Sequence, residues 1–422
     1  MRSSRNASPR LARRRLPLLA AVALLGAACA GPVAPELVIV NARVFTNDLA
    51  RPWAKAVAVK GDRVIGVGTR TEVQASAGPA TRTIDAGGRL LIPGFNDARV
   101  DLPLEPPTAA ALSALDRSAI QKGVTSLQVI AGGPMRTLVP AARQARRQAR
   151  WRLIRSPEDT TTLSTSDPTA TVTEDEDSYL PPQPGVRLTA NGVAWRLSDG
   201  SREGRRALPS ARVATVVGWA YGAEDPIVMA AGAREWVAAL SRTGLPAVWQ
   251  RKRPRFDIDA PDDPTQPSPF APESIAAFRR LGAVVVWTPE AVGGRTPASG
   301  PAPFSNPWHY PGHVIDGGVT LSLGSAGPPE PALAIASVVG AGGRAAGRPL
   351  SREEAVRAMT WGSAYAEKTE RDKGWLGSGT LADIAVLSDD IFTAPAERLP
   401  AITSVLTLVG GTIVYDSGVL SK

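Results

Sequence analysis

At 422 residues the chain is long enough for one large domain and a smaller one. Its hydrophobic fraction of 43% and charged fraction of 21% are ordinary for a cored protein and exclude general disorder, although 40 glycines and 38 prolines imply many turns. The net charge of +9 does not mark a nucleic-acid surface, because six of those charges (Arg2, Arg5, Arg10, Arg13, Arg14 and Arg15) sit in one short stretch at the start of the chain.

That stretch is followed by an apolar run over residues 16–25, with no acidic residue before Cys29. A basic flank, a short apolar run and small residues after it form an export signal. The apolar run is shorter than the roughly 20 residues a bilayer core requires. Gly26-Ala27-Ala28-Cys29 is similar to a lipobox, with the usual leucine one place early at Leu25. Ala28-Cys29-Ala30 also suits an ordinary signal-peptidase site. Cys29 is the single cysteine of the chain, which favours lipidation there and excludes an intramolecular disulfide. Residues 1–30 are therefore expected to be a leader that sends the protein to the bacterial cell envelope. The protein is expected to be anchored to the membrane through Cys29, or otherwise to be periplasmic or secreted.

From residue 36 the pattern is strands. Leu37-Val38-Ile39-Val40, leading into Asn41-Ala42-Arg43-Val44-Phe45, and the run over 56–68 with its Gly61-Asp62 turn read as strands of a hairpin, and a further run covers 81–89. Leu90-Leu91-Ile92-Pro93-Gly94-Phe95-Asn96-Asp97-Ala98-Arg99-Val100-Asp101 reads as a buried strand, a Pro-Gly break and a second strand. Beyond it helix-like and strand-like stretches alternate. Helices are expected over 109–122, 140–151, 230–240, 272–281 and 351–366, and strands over 124–129, 246–250, 283–287 and 319–324. This alternation predicts a parallel α/β barrel. Residues 156–185, with the acidic run Glu174-Asp175-Glu176-Asp177, read as a solvated loop. The segment from the Pro-Gly break to Asp199 is short, so an abbreviated barrel is expected.

Three stretches resemble the amidohydrolase superfamily, most closely its family 3 branch. Residues 90–101 resemble L-x-P-G-F-x-D-x-H-x-H. Lys373-Gly374-Trp375-Leu376-Gly377-Ser378-Gly379-Thr380-Leu381-Ala382-Asp383 resembles K-G-x-L-x-x-G-x-L-A-D, and residues 405–415 resemble the family's closing hairpin. Leu197-Ser198-Asp199-Gly200-Ser201-Arg202 and Gly123-Val124-Thr125-Ser126 are further matches. The resemblance implies a (β/α)8-like TIM barrel at 93–372 and a small β-sandwich built from both chain ends, 31–92 and 373–422. It implies a hydrolase acting on non-peptide carbon–nitrogen bonds with zinc or another divalent metal.

The family's site positions are occupied by other residues. His-x-His becomes Arg99-Val100-Asp101, a V-x-V-H strand becomes Ala247-Val248-Trp249-Gln250, and the catalytic aspartate of G-S-D-A-P becomes Ala326. Near Arg255-Phe256-Asp257-Ile258-Asp259, where the family has R-x-E-H-A, there is no histidine. Arginine cannot ligate a cation, so no bound metal or other cofactor is expected and the hydrolytic centre is expected to be degenerate. Arg99 is expected to pair with Asp101 or Asp199 in the vacated space. The alternative is a binding protein whose barrel mouth, lined by Arg99, Asp101, Asp199 and Gln250, holds a small molecule. A metal-independent hydrolase with Asp101 or Asp199 as base is a third reading. The two histidines, His309 and His313, flank Pro311-Gly312 and read as surface or loop residues and not as metal ligands. Trp195, Trp249, Trp287 and Trp361 read as core.

Overall fold

The computed structural model describes residues 34–103, 105, 107–155, 187–196, 226–229, 246–259, 270–288, 311–339 and 348–420. The leader with Cys29, the acidic loop, the 230–240 helix, Asp199 and His309 lie outside the described residues. Among the described residues no helix is long and apolar enough to cross a membrane.

The first strands are β1 (Leu37–Val40), β2 (Arg43–Phe45), β3 (Trp53–Ala54), β4 (Ala56–Lys60), β5 (Arg63–Gly68), β6 (Arg82–Asp85) and β7 (Leu90–Pro93). The last are β16 (Ile384–Leu387), β17 (Ser404–Val409) and β18 (Thr412–Asp416). They form two sheets, ordered β5-β4-β1-β6 and β18-β17-β16-β7-β2-β3. The second sheet joins the two ends of the chain, with Ile384 opposite Pro93 and Val386 opposite Leu91 in an antiparallel ladder. Ile39, Val57, Ile84, Leu91, Ile384 and Leu406 pack into one shared apolar cluster, which makes this joining energetically favourable.

Between these ends runs an eight-stranded sheet in which every ladder is parallel. Its strands are β8 (Phe95–Asp101), β9 (Val124–Ile130), β10 (Arg150–Arg155), β11 (Leu188–Arg196), β12 (Pro226–Met229), β13 (Arg255–Asp259), β14 (Val284–Thr288) and β15 (Thr320–Leu323). They stand side by side in chain order. Among the described residues this sheet has eight strands. The helices Ala109–Gln121 and Pro272–Leu281 lie where the apolar periodicity puts them.

Two sequence expectations fail locally. The stretch read as a helix over 140–151 is a helix ending at Gln144 followed by β10. Trp151, Arg152, Leu153 and Ile154 are all buried there, as suits a strand inside the large sheet. The stretch 246–250, read as a strand, is the helix Pro246–Lys252. Proline suits the first helical position, where the missing N–H costs nothing.

Sheet and sandwich meet at Gly94. A Cβ there would fall 2.2 Å from Thr125 Cγ2, so only glycine lets the strand turn from β7 into β8 at this distance. Gly94 N donates to Asp383 O at 2.9 Å. The Asp383 carboxylate takes a fork from Arg150 of β10, with Nε at 2.7 Å and Nη2 at 3.0 Å, and the Gly410 N–H at 2.7 Å. Lys373 pairs with Glu367 and donates to Ser126 Oγ of β9 at 2.8 Å. The sequence motifs around Gly123 and Lys373 are thus halves of one junction.

Candidate functional site

On a strand, residues two apart face the same side. Arg99 and Asp101 on β8 therefore project together. Arg99 Nη2 lies 2.7 Å from Asp101 Oδ2, and Nε reaches Oδ1 at 3.0 Å and Oδ2 at 3.1 Å. The Arg99 side chain is only 5% exposed, whereas Asp101 keeps 19%. This is one of the two pairings expected from the sequence; the other, with Asp199, lies outside the described residues.

A second Arg-x-Asp pair, which sequence reasoning missed, stands on β13. Arg255 Nε reaches Asp257 Oδ1 at 2.5 Å and Nη2 reaches Oδ2 at 2.6 Å, both side chains being fully buried. Arg255 Nη1 also donates to Gln128 Oε1 of β9 at 2.5 Å, and Nη2 donates to the Ala98 carbonyl of β8. Gln128 Nε2 donates to Ser363 O at 3.0 Å. Burial pushes the Asp257 carboxyl up, against the pull of Arg255 and, more weakly, Arg99, while the Asp101 charge pushes it further up. Two guanidinium groups and two carboxyl groups thus stand on the two strands. The repeated Arg-x-Asp spacing at 99–101 and 255–257 was the available signal.

Asp97, on the same strand as Arg99, is fully buried. It accepts from Ser325 N at 2.9 Å, Ser325 Oγ at 2.5 Å and Arg99 N at 3.2 Å. Desolvation raises its carboxyl to about 6 despite these donors.

The other predicted positions fare differently. Ala326 follows β15 and sits beside the first pair, its N–H donating to Arg99 O at 2.9 Å. Its methyl group offers no proton acceptor. Gln250 does not join the site. It is exposed on the helix Pro246–Lys252, and its Nε2 donates to Arg280 O at 2.9 Å on the neighbouring helix. A strand register had placed it inside; the helix turns Trp249 inward instead, and that side chain is fully buried. Trp287 is core as expected. Trp361 is half-buried and stacks on Tyr365 at 5.1 Å between ring centroids. His313 lies on a one-turn helix, Gly312–Asp316, and not in a loop.

Residues 271–415 match the model of an amidohydrolase family. The chain is 44% identical over 63 residues to the N-substituted formamide deformylase of Arthrobacter pascens, which is 15% of this chain and 12% of that protein. The match therefore spans a small part of the relative's length. Among solved structures, an adenosine deaminase from Xanthomonas campestris with bound zinc superposes with a TM-score of 0.61 at 16% identity, covering 92% of this chain and 94% of that one. The L-hydantoinase of Arthrobacter aurescens does so with a TM-score of 0.56 at 15% identity, covering 92% and 97%.

These likenesses correct one expectation. The family match and the likeness to an adenosine deaminase that binds zinc indicate a metal cofactor where none was expected. The side chains that the sequence comparison set at the metal site do not fit such an ion: Arg99 has no lone pair to give, Ala326 has no ligating atom in its side chain, and Gln250 lies exposed on a helix instead of on a strand of the site. Among the described residues no group of three or more His, Cys, Asp or Glu stands where it could hold a metal. Residues 271–415 thus match an amidohydrolase family model, and the chain's fold is similar to the folds of the solved adenosine deaminase and L-hydantoinase.

Proposed function

We propose that this is an exported amidohydrolase-family protein, of the class that hydrolyses non-peptide carbon–nitrogen bonds, whose hydrolytic centre has degenerated at the family's own positions. The observation that carries this reading is the Arg99–Asp101 fork. A permanently charged guanidinium occupies the place of the first His-x-His ligand and holds the carboxylate at the second. Ala326 adds the loss of the proton acceptor that would activate water. The export and lipid-anchor proposal rests on the six leader arginines, the apolar run and Cys29. Incorporation of labelled palmitate that disappears in Cys29→Ala tests it.

A binding role is the second reading, and the 19% exposure of the Asp101 side chain favours it, because the pair can be reached from outside. One experiment separates the two from a live enzyme. The full chain is assayed with an N-substituted formamide and a hydantoin in the presence of added zinc, alongside thermal-shift screening against small amides and carboxylates. The expected result is no turnover above the buffer. Turnover that is lost in Asp101→Asn would overturn the degenerate-centre reading. Stabilisation by an amide or carboxylate that is lost in the same variant would establish the binding role.

A further inference from the structure

The ladders leave β8 and β15 at opposite ends of the eight-stranded sheet. The two strands nevertheless come together, through contacts of another kind. Near Arg99 the loop after β15 makes the junction. Ala326 N donates to Arg99 O at 2.9 Å, and Asp97 takes both the N–H and the hydroxyl of Ser325. Ser325 Oγ also accepts from Glu330 N at 3.0 Å, which ties the contact to the start of the helix Pro331–Val338. Gly324 lies against Arg99 so closely that a Cβ would fall 2.7 Å from its Cβ and backbone N.

Nearer the start of β15 a helical segment stands at the junction. Ser363 and Ser322 share a hydroxyl hydrogen bond of 2.8 Å, and Ser363 O receives Gln128 Nε2. Gly362 lies on the Leu321 carbonyl, where a Cβ would fall 2.2 Å away. Just before Ser363 the backbone is a π-helical turn, Ala358–Gly362, a geometry frequent at functional sites. The seam is therefore closed by side chains, one loop and one helix. Such contacts can release without breaking any strand ladder, and local openings follow regions of that kind.

We propose that the Asp97–Ser325 contact is a latch on this seam, and that its release parts the 324–326 loop and β15 from β8 and uncovers Arg99 from the side while the rest of the fold holds. Gly324 lies directly on Arg99, so such an opening uncovers the buried arginine together with Asp97. The device is independent of whether the site turns anything over.

Native-state hydrogen exchange of the full chain, followed by mass spectrometry, tests it. In the wild type, peptides covering 95–103 and 320–330 should share one opening, at least about tenfold more populated than global unfolding. Ser325→Ala should raise exchange in both peptides by roughly another tenfold, the equivalent of the one hydrogen bond its hydroxyl makes across the seam, and leave peptides from 37–68 and 404–416 unchanged. Ser325→Thr, which keeps the hydroxyl, should behave as wild type. Exchange of the two wild-type peptides only through global unfolding overturns the latch, and this reading needs no variant to fold. Uniform acceleration across the chain in Ser325→Ala, or none, overturns it as well.

Discussion

Arg255 and Asp257 stand two residues apart on β13 and lock together as a fully buried fork, with N–O distances of 2.5 and 2.6 Å. Removing two charges from water is costly, and only mutual attraction with full hydrogen bonding offsets it. Asp257→Ala should leave the guanidinium buried and unpaired and cost about 3–5 kcal/mol. Replacing both residues together by Met and Leu should cost much less, because no orphan charge remains. Urea titration of the two variants checks the order, and a double variant as unstable as the single one would show that the fork contributes net stability.

Asp97 gives the protein a pH dependence of defined sign. Its carboxyl is raised by burial to about 6, from 3.8 when exposed. A group that binds its proton more tightly in the folded state stabilises the fold at low pH. That contribution is complete below the unfolded value and is lost as pH rises through the folded one. The wild type should thus lose on the order of 1 kcal/mol between about pH 5 and 7.5 through this group. Asp97→Asn can still accept from the Ser325 and Arg99 N–H groups while its amide donates to Ser325 Oγ. It should fold and lack this slope. Burial also raises Asp257 and Asp116, which act in the same direction, so the difference between wild type and Asp97→Asn is the quantity to measure.

Much of this was legible in the sequence. The sandwich strands, the Pro93-Gly94 break and the Arg99–Asp101 pair follow from apolar runs, turn residues and the two-residue period of a strand. The helix at Pro246 was not, because Ala247-Val248-Trp249 suits a buried strand as well as a helix, and seven residues are too few for a period to decide. Nor was the β13 pair. A repeated Arg-x-Asp says which residues share a face, but not that two distant strands bring those faces together.

The two glutamines of the site argument make opposite predictions. Gln128 accepts from Arg255 Nη1 and donates to Ser363 O, both buried. Gln128→Ala strands a charged donor and a carbonyl and should cost about 2–3 kcal/mol. Gln250 is exposed on an outer helix, and Gln250→Ala should change stability by no more than about 0.5 kcal/mol. Any ligand that stabilises the wild type should stabilise Gln250→Ala by the same thermal shift. A reduced shift in that variant would return Gln250 to the site.

Gly94 is the point where one strand must leave the sandwich and enter the large sheet, and Thr125 fills the space a side chain would need. A Cβ on residue 94 would lie 2.2 Å from Thr125 Cγ2, 2.3 Å from Oγ1 and 2.8 Å from Cβ. Gly94→Ala therefore overpacks a buried junction, and such insertions cost about 1–3 kcal/mol. The strain is local to one pair, so Thr125→Gly in the same chain should recover most of it, although that change alone destabilises β9 by loss of packing and strand propensity. A double-mutant cycle measures the coupling directly. A favourable interaction of 1 kcal/mol or so between the two substitutions is expected. Additive losses would mean that the backbone at Gly94, and not the Thr125 side chain, is what forbids a larger residue.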